Sequence, residues 1–172
     1  KIKICGIKEI DTLEFCIENN VHYYGLIFYE KSPRNIEYEE AKKILKYSKN
    51  KDIYSVGVFV NKNKEDLINI LDILNFNFIQ LHGSENNHYI NSIKNKNKKV
   101  KIIKVISISG PDDFLKTKEY PDTDMFLFDY KPIKSELPGG NSKSFDWNLI
   151  KNVNTFKPWF LSGGININNV NN

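Results

Sequence analysis

The sequence predicts an α/β fold, a parallel (β/α)8 barrel whose eighth strand and flanking helices are absent from this chain. Three observations carry that prediction. Short segments rich in Ile, Val, Phe and Tyr alternate with amphipathic stretches along all 172 residues. Polar residues and glycines gather at the exits of the apolar segments, while their starts look ordinary. The glycine-rich fingerprint of a dinucleotide-binding sheet is missing, because "ICGIKEID" offers a single glycine after the first strand. An open doubly wound sheet is therefore the weaker of the two architectures that share this alternation. In a barrel, function belongs at the C-terminal strand ends, where the polar residues lie.

Taken in order, the strands are "IKICGI", "YYGLIFY", "YSVGVFV", "FIQLHG", "KIIKVISI", "MFLFDY" and "WFLSGGI", each short and bounded by turn residues. Between them lie helical stretches: "EIDTLEFCIENN", "EYEEAKKILKYSKN", "KEDLINILDILN", "NNHYINSIKN", "PDDFLKTKEY" and "DWNLIKN". Ile44 with Leu45 and Ile68 with Leu71 mark apolar stripes, with lysines and glutamates on the other faces. Right-handed crossovers put such helices outside a parallel sheet. No linker, repeat or low-complexity block interrupts the pattern, so residues 1–172 read as one C-terminally incomplete barrel domain.

Composition narrows the function. The net charge of +4 is mild, and the densest basic run, "IKNKNKKVK", lacks the interleaved aromatics of a nucleic-acid stacking surface. No run approaches the roughly 18 apolar residues of a membrane span, and no signal sequence is visible. Two cysteines suit a reducing cytoplasm. Cys16 falls at helical spacing with Leu13 and Ile17 and reads as core. Neither the histidines nor the cysteines have metal-ligand spacing. A soluble cytoplasmic protein acting on a small anionic molecule, with neither nucleic acid nor membrane as partner, fits these features.

The strand exits supply the candidates. Ile2 and Ile4 share one face of the first strand and are expected under the helices, which turns Cys5 to the opposite face. Cys5 is then either a small buried hydrophobe or a reactive thiol. Arg34, in "SPR" after the second strand, is the one arginine among 25 basic residues. A planar guanidinium there reads as a clamp on a carboxylate or phosphate, and an accident of composition is the plainer alternative. Asn61 ends the third strand. Gln80 and His82 share a face of the fourth, where a satisfied core histidine is the common case. Ser107 and Ser109 lie near the end of the fifth. Asp129 closes "MFLFD", where a carboxylate either caps the next loop or serves a purpose that justifies its burial. Gly139, Gly140 and Asn141, then Gly163 and Gly164, are positioned to turn backbone N–H groups toward a phosphate, which barrels often hold near strands seven and eight.

In order and register, "KICGI", "GLIFYEKSPRNI", "VGVFVN", "IQLHG", "LFD", "GGNSKSFDW" and "LSGGI" resemble phosphoribosylanthranilate isomerase, a (β/α)8 TIM-barrel family of tryptophan biosynthesis. The resemblance implies an Amadori rearrangement of N-(5-phosphoribosyl)anthranilate, with no metal and no cofactor, by a monomer or homodimer. It makes Cys5 the general base and Asp129 the general acid, facing each other across the barrel mouth. It sets Arg34 at the anthranilate end, counts Gln80 and His82 among the substrate-binding residues, and gives the phosphate to Gly139, Gly140, Asn141, Gly163 and Gly164. Family members continue through a seventh helix, an eighth strand and an eighth helix. The native protein is therefore expected to extend past "NINNVNN". An inactive fragment binding a phosphorylated ligand, or another sugar-phosphate isomerase on the same barrel, is the alternative.

Overall fold

In the computed structural model, residues 1–133, 136, 138–153 and 155–171 are described. Seven strands form one parallel sheet in chain order: β1 (Lys3–Cys5), β2 (Tyr23–Phe28), β3 (Tyr54–Phe59), β4 (Phe78–Leu81), β5 (Lys101–Ile108), β6 (Met125–Tyr130) and β7 (Trp159–Leu161). Helices α1 (Ile10–Glu18), α2 (Tyr38–Ser48), α3 (Lys64–Ile73) and α4 (Asn87–Lys96) fill the first four crossovers. Each strand pairs with its sequence neighbours, as a (β/α)8 barrel requires, and β1 and β7 are the two edges.

Two crossovers differ from the expected α-helices. Pro111–Glu119 and Trp147–Asn152 are 3₁₀ helices. In the first, Pro111 opens the helix, and Asp113 Oδ2 accepts from Ser109 N, Ser109 Oγ and Gly110 N at 2.8, 2.8 and 3.2 Å. Those bonds tighten the entry into i→i+3 geometry. By contrast, α3 and α4 begin on side-chain caps, Asn63 to Glu65 N and Asp66 N, and Asn86 to Tyr89 N.

Register sorts the side chains. Parallel pairing aligns Cys5 with Gly25, Gly25 with Val56, Val58 with Gln80, Gln80 with Ile103, and Leu127 with Phe160. Val56, Val58, Phe78, Ile103, Val105, Leu127 and Phe160 form an inner cluster, and Cys5 packs against it. Leu13, Cys16, Ile44, Leu67, Ile90 and other residues pack the helices onto the outer face. Burial holds the Cys16 thiol above its ordinary pKa, consistent with a core role.

One expectation fails at the edge. Ile2 is 53 % and Ile4 41 % exposed, not buried under helices. β1 pairs on one side only, so no further strand or helix closes over that flank among the described residues. Residues 167–171 form a turn, with Val170 N donating to Asn166 O at 3.0 Å.

Candidate active site

A cavity of about 1070 Å³ opens at the C-terminal ends of the strands and along the open flank between β1 and β7, and the ten residues expected to serve catalysis and substrate binding line it. Period-two alternation brings them there. The inner face that carries Val58, Ile103 and Leu127 lower in the barrel carries Cys5, His82 and Asp129 at its rim.

Cys5 sits over the backbone of β2. A Cβ at Gly25 would lie 2.7 Å from Cys5 Sγ, so the glycine leaves the thiol its space. Beyond Cys5 the chain turns at Gly6, whose φ of 90° is a left-handed conformation that favours glycine. Gly6 N and Ile7 N both donate to Gly25 O, at 2.9 and 3.0 Å.

Arg34 is set by its own loop. Ser32 N donates to Tyr29 O at 2.8 Å, Arg34 N to Ser32 Oγ at 3.2 Å, and Ile36 N returns to Ile27 O at 2.9 Å. Pro33 fixes the backbone between them. The guanidinium crosses Gly6, and Nη1 donates to the Cys5 carbonyl at 3.0 Å. Nη2 reaches the other loop, where a Cβ at Gly140 would come within 2.9 Å of it.

Asp129 is 5 % exposed. Its Oδ1 accepts from Tyr130 N at 2.9 Å, and Oδ2 lies 3.3 Å from His82 Nε2. His82 Nδ1 lies 3.1 Å from Gln80 Nε2, so His82 is neither an isolated core residue nor a free one. Gly139 closes over the His82 ring and Gly163 over Asp129; a Cβ would lie 2.7 Å from His82 Cε1 in the first case and 3.0 Å from Asp129 Oδ1 in the second. Gly139, Gly140, Gly163 and Gly164 all have positive φ. Asn141 lines the cavity beside them. Among the described residues no three His, Cys, Asp or Glu side chains gather as a metal site.

Other strand-exit residues serve the loops. Ser109 binds Asp113, and Asn61 Oδ1 accepts from Ser84 N and Oγ at 2.7 and 3.0 Å. Ser107 pairs with Asp129 in register but does not line the cavity.

Sequence reasoning missed one support. Lys104, 1 % exposed on the helix side of β5, donates to Glu85 Oε2 at 3.0 Å, Gly83 O at 2.6 Å and Leu81 O at 3.4 Å. Glu85 in turn accepts from Asn61 N at 2.7 Å and Gly83 N at 2.9 Å. Burial pulls the Lys104 pKa down, and the Glu85 carboxylate works against that shift. The pair grips the backbone on both sides of His82. Its signal was a lysine inside the apolar run "KIIKVISI".

Comparisons with known proteins agree with the fold. Residues 2–172 match the family model described as N-(5'phosphoribosyl)anthranilate (PRA) isomerase. The N-(5'-phosphoribosyl)anthranilate isomerase of Rhizobium rhizogenes is 38 % identical over 170 residues, covering 98 % of this chain and 76 % of that protein. The crystal structure of phosphoribosyl anthranilate isomerase from Thermotoga maritima superposes with a TM-score of 0.81 at 30 % identity, covering 99 % of this chain and 80 % of that one. A phosphoribosyl anthranilate isomerase in complex with reduced 1-(o-carboxyphenylamino)-1-deoxyribulose 5-phosphate gives 0.77 at 29 %, covering 99 % and 79 %. With its seven parallel strands, its cavity at their C-terminal ends and these relatives, the chain belongs to the N-(5'-phosphoribosyl)anthranilate isomerases, an enzyme family of tryptophan biosynthesis.

Proposed function

We propose that the chain converts N-(5-phosphoribosyl)anthranilate to 1-(2-carboxyphenylamino)-1-deoxyribulose 5-phosphate by an Amadori rearrangement, with Cys5 as general base and Asp129 as general acid. The observation that carries the reading is one cavity shared by a thiol, a carboxyl and the lone arginine. Asp129 gives its proton to the furanose ring oxygen, and the ring opens to a protonated Schiff base. The iminium acidifies the adjacent C2–H, the Cys5 thiolate takes that proton, and the enolamine tautomerises to the ketone. Two proton transfers thus run between a named side chain and a substrate atom, from Asp129 to the ring oxygen and from C2 to Cys5.

Arg34 meets the anthranilate carboxylate with a guanidinium already oriented by the Cys5 carbonyl. Gly139, Gly140, Asn141, Gly163 and Gly164 hold the phosphate through backbone N–H groups. Their lack of Cβ atoms also lets this rim approach His82, Arg34 and Asp129 closely.

Complementation tests the reading. The gene should restore growth without tryptophan to an auxotroph lacking this isomerase, and the Cys5→Ser and Asp129→Asn variants should not. Growth supported equally by the variants would refute the assigned acid and base.

A further inference from the structure

Gln80, His82 and Asp129 form a line of three polar side chains. Gln80 is 3 % exposed, and the His82 and Asp129 side chains are 12 % and 8 % exposed. Gln80 Oε1 has no hydrogen-bond partner among the described residues. This buried amide therefore spends its one bond on the His82 ring, 3.1 Å away.

A neutral imidazole carries one N–H and one lone pair, and an amide offers a donor end and an acceptor end. With its nitrogen toward Nδ1, Gln80 donates. The ring proton then sits on Nε2 and faces an ionised Asp129. With the amide turned by 180°, Oε1 accepts from Nδ1–H. The Nε2 lone pair then accepts the O–H of a protonated Asp129. Either orientation leaves one amide atom unpaired, so hydrogen-bond count favours neither.

Acid catalysis at Asp129 needs both forms of the carboxyl in each turnover. We propose that Gln80 is a positioning residue for that acid: by turning its amide it matches the His82 tautomer to the carboxyl, so that Asp129 is held both before and after it gives up its proton. Before ring opening the proton is on Asp129 and the ring proton on Nδ1. Afterwards the Asp129 proton is on the sugar oxygen. As the amide turns away, the ring gives its Nδ1 proton to cavity water and takes one from water at Nε2, so neither the ring nor the water changes net charge. The proposal rests on Asp129 being the acid and extends that reading to a residue that need not touch substrate. The other charged or titratable groups around the cavity are Cys5, Tyr29, Arg34, Tyr130 and Lys143, with Lys1 and Lys3 at the β1 edge.

Two measurements test it. In ¹⁵N-labelled protein, with His22 and His88 assigned by substitution, the protonated nitrogen of His82 should change from Nδ1 to Nε2 as rising pH ionises the carboxyl. One unchanging tautomer, or a ring that is charged before the change, overturns the proposal. This arm needs no turnover, so it is read even if the assigned isomerisation fails. In the kinetic arm, Gln80→Met should lower kcat on the order of tenfold and leave KM within about twofold. In a His82→Asn background the same change should cost nothing further. An equal loss in both backgrounds, or a loss confined to KM, would make Gln80 a substrate contact instead. Should Gln80→Met fail to fold, the tautomer measurement on the wild-type protein decides.

Discussion

Arg34 Nη1 donates to the carbonyl of Cys5 at 3.0 Å, which ties the chain's one arginine to the backbone of the proposed base. Arg34→Lys keeps the charge and loses the fork that spans this carbonyl and, in the proposed reading, the substrate carboxylate. KM for phosphoribosylanthranilate should rise about tenfold, the equivalent of one charge-assisted hydrogen bond. Unchanged KM and kcat in the lysine variant would return Arg34 to the role of a surface residue that only braces Cys5.

Cys5→Ser should fold as the wild type does, because the hydroxyl fits the space Gly25 leaves for the thiol. Turnover should fall by about 10²–10⁴-fold, since serine supplies no comparable base near neutral pH. Matching thermal melts with more than about a tenth of the activity retained would remove Cys5 from the mechanism.

Gly6→Ala tests the corner beneath Arg34. Alanine at φ 90° is strained, and its Cβ would lie 2.6 Å from Arg34 Cδ. The strain alone is worth about 1–2 kcal/mol. The variant should therefore melt lower and also show a raised KM, because Arg34 must move. A lower Tm with unaltered KM would mean that Arg34 finds its place without this contact.

Much of this was legible in the chain, for a local reason. Cys5, Gln80, His82 and Asp129 stand at the ends of period-two patterns, and a strand's alternation fixes which face each side chain takes. What escaped depends on partners far away in sequence. The absent eighth strand already makes β1 an edge, yet alternation names only the face that Ile2 and Ile4 take and not what covers it, so their exposure could not be read from their own segment. Lys104 meets Glu85 across 19 residues, and only the folded crossover brings them together. The 3₁₀ geometry of Pro111–Glu119 hangs on Asp113 reaching back to Ser109, which an apolar stripe does not reveal.

Lys104→Met probes that hidden pair. Methionine fills similar space but leaves the Glu85 carboxylate buried beside two backbone N–H groups without its cation. Stability should fall by about 3–5 kcal/mol in denaturant titration. Adding Glu85→Gln should recover part of the loss by removing the uncompensated charge. A Lys104→Met cost below about 1 kcal/mol would show that the ion pair does not hold the β4 exit.

Asp113 gives the molecule a pH dependence of definite sign. Burial works against its charged form, but hydrogen bonds from Lys116 and from the Ser109 backbone and hydroxyl outweigh it, holding the carboxyl below its ordinary range. The unfolded chain releases this proton near pH 3.9, the folded chain at lower pH. The unfolded state thus binds more protons between those two values, and stability rises with pH there. Asp113 contributes in full above about pH 5, and its contribution fades as pH falls through the depressed value. Asp113→Asn loses the Lys116 ion pair at 2.6 Å. At pH 7 the variant should melt roughly 2–4 °C lower, the shift for about 1 kcal/mol in a domain of this size. Below about pH 4 the two melting curves should begin to approach each other, because the unfolded wild type takes up a proton there that the folded carboxylate still refuses, and they meet only as pH falls to the depressed value. A difference in Tm that stays constant from pH 7 to pH 3 would assign the stabilisation to packing around Ser109 and not to the ionised carboxylate.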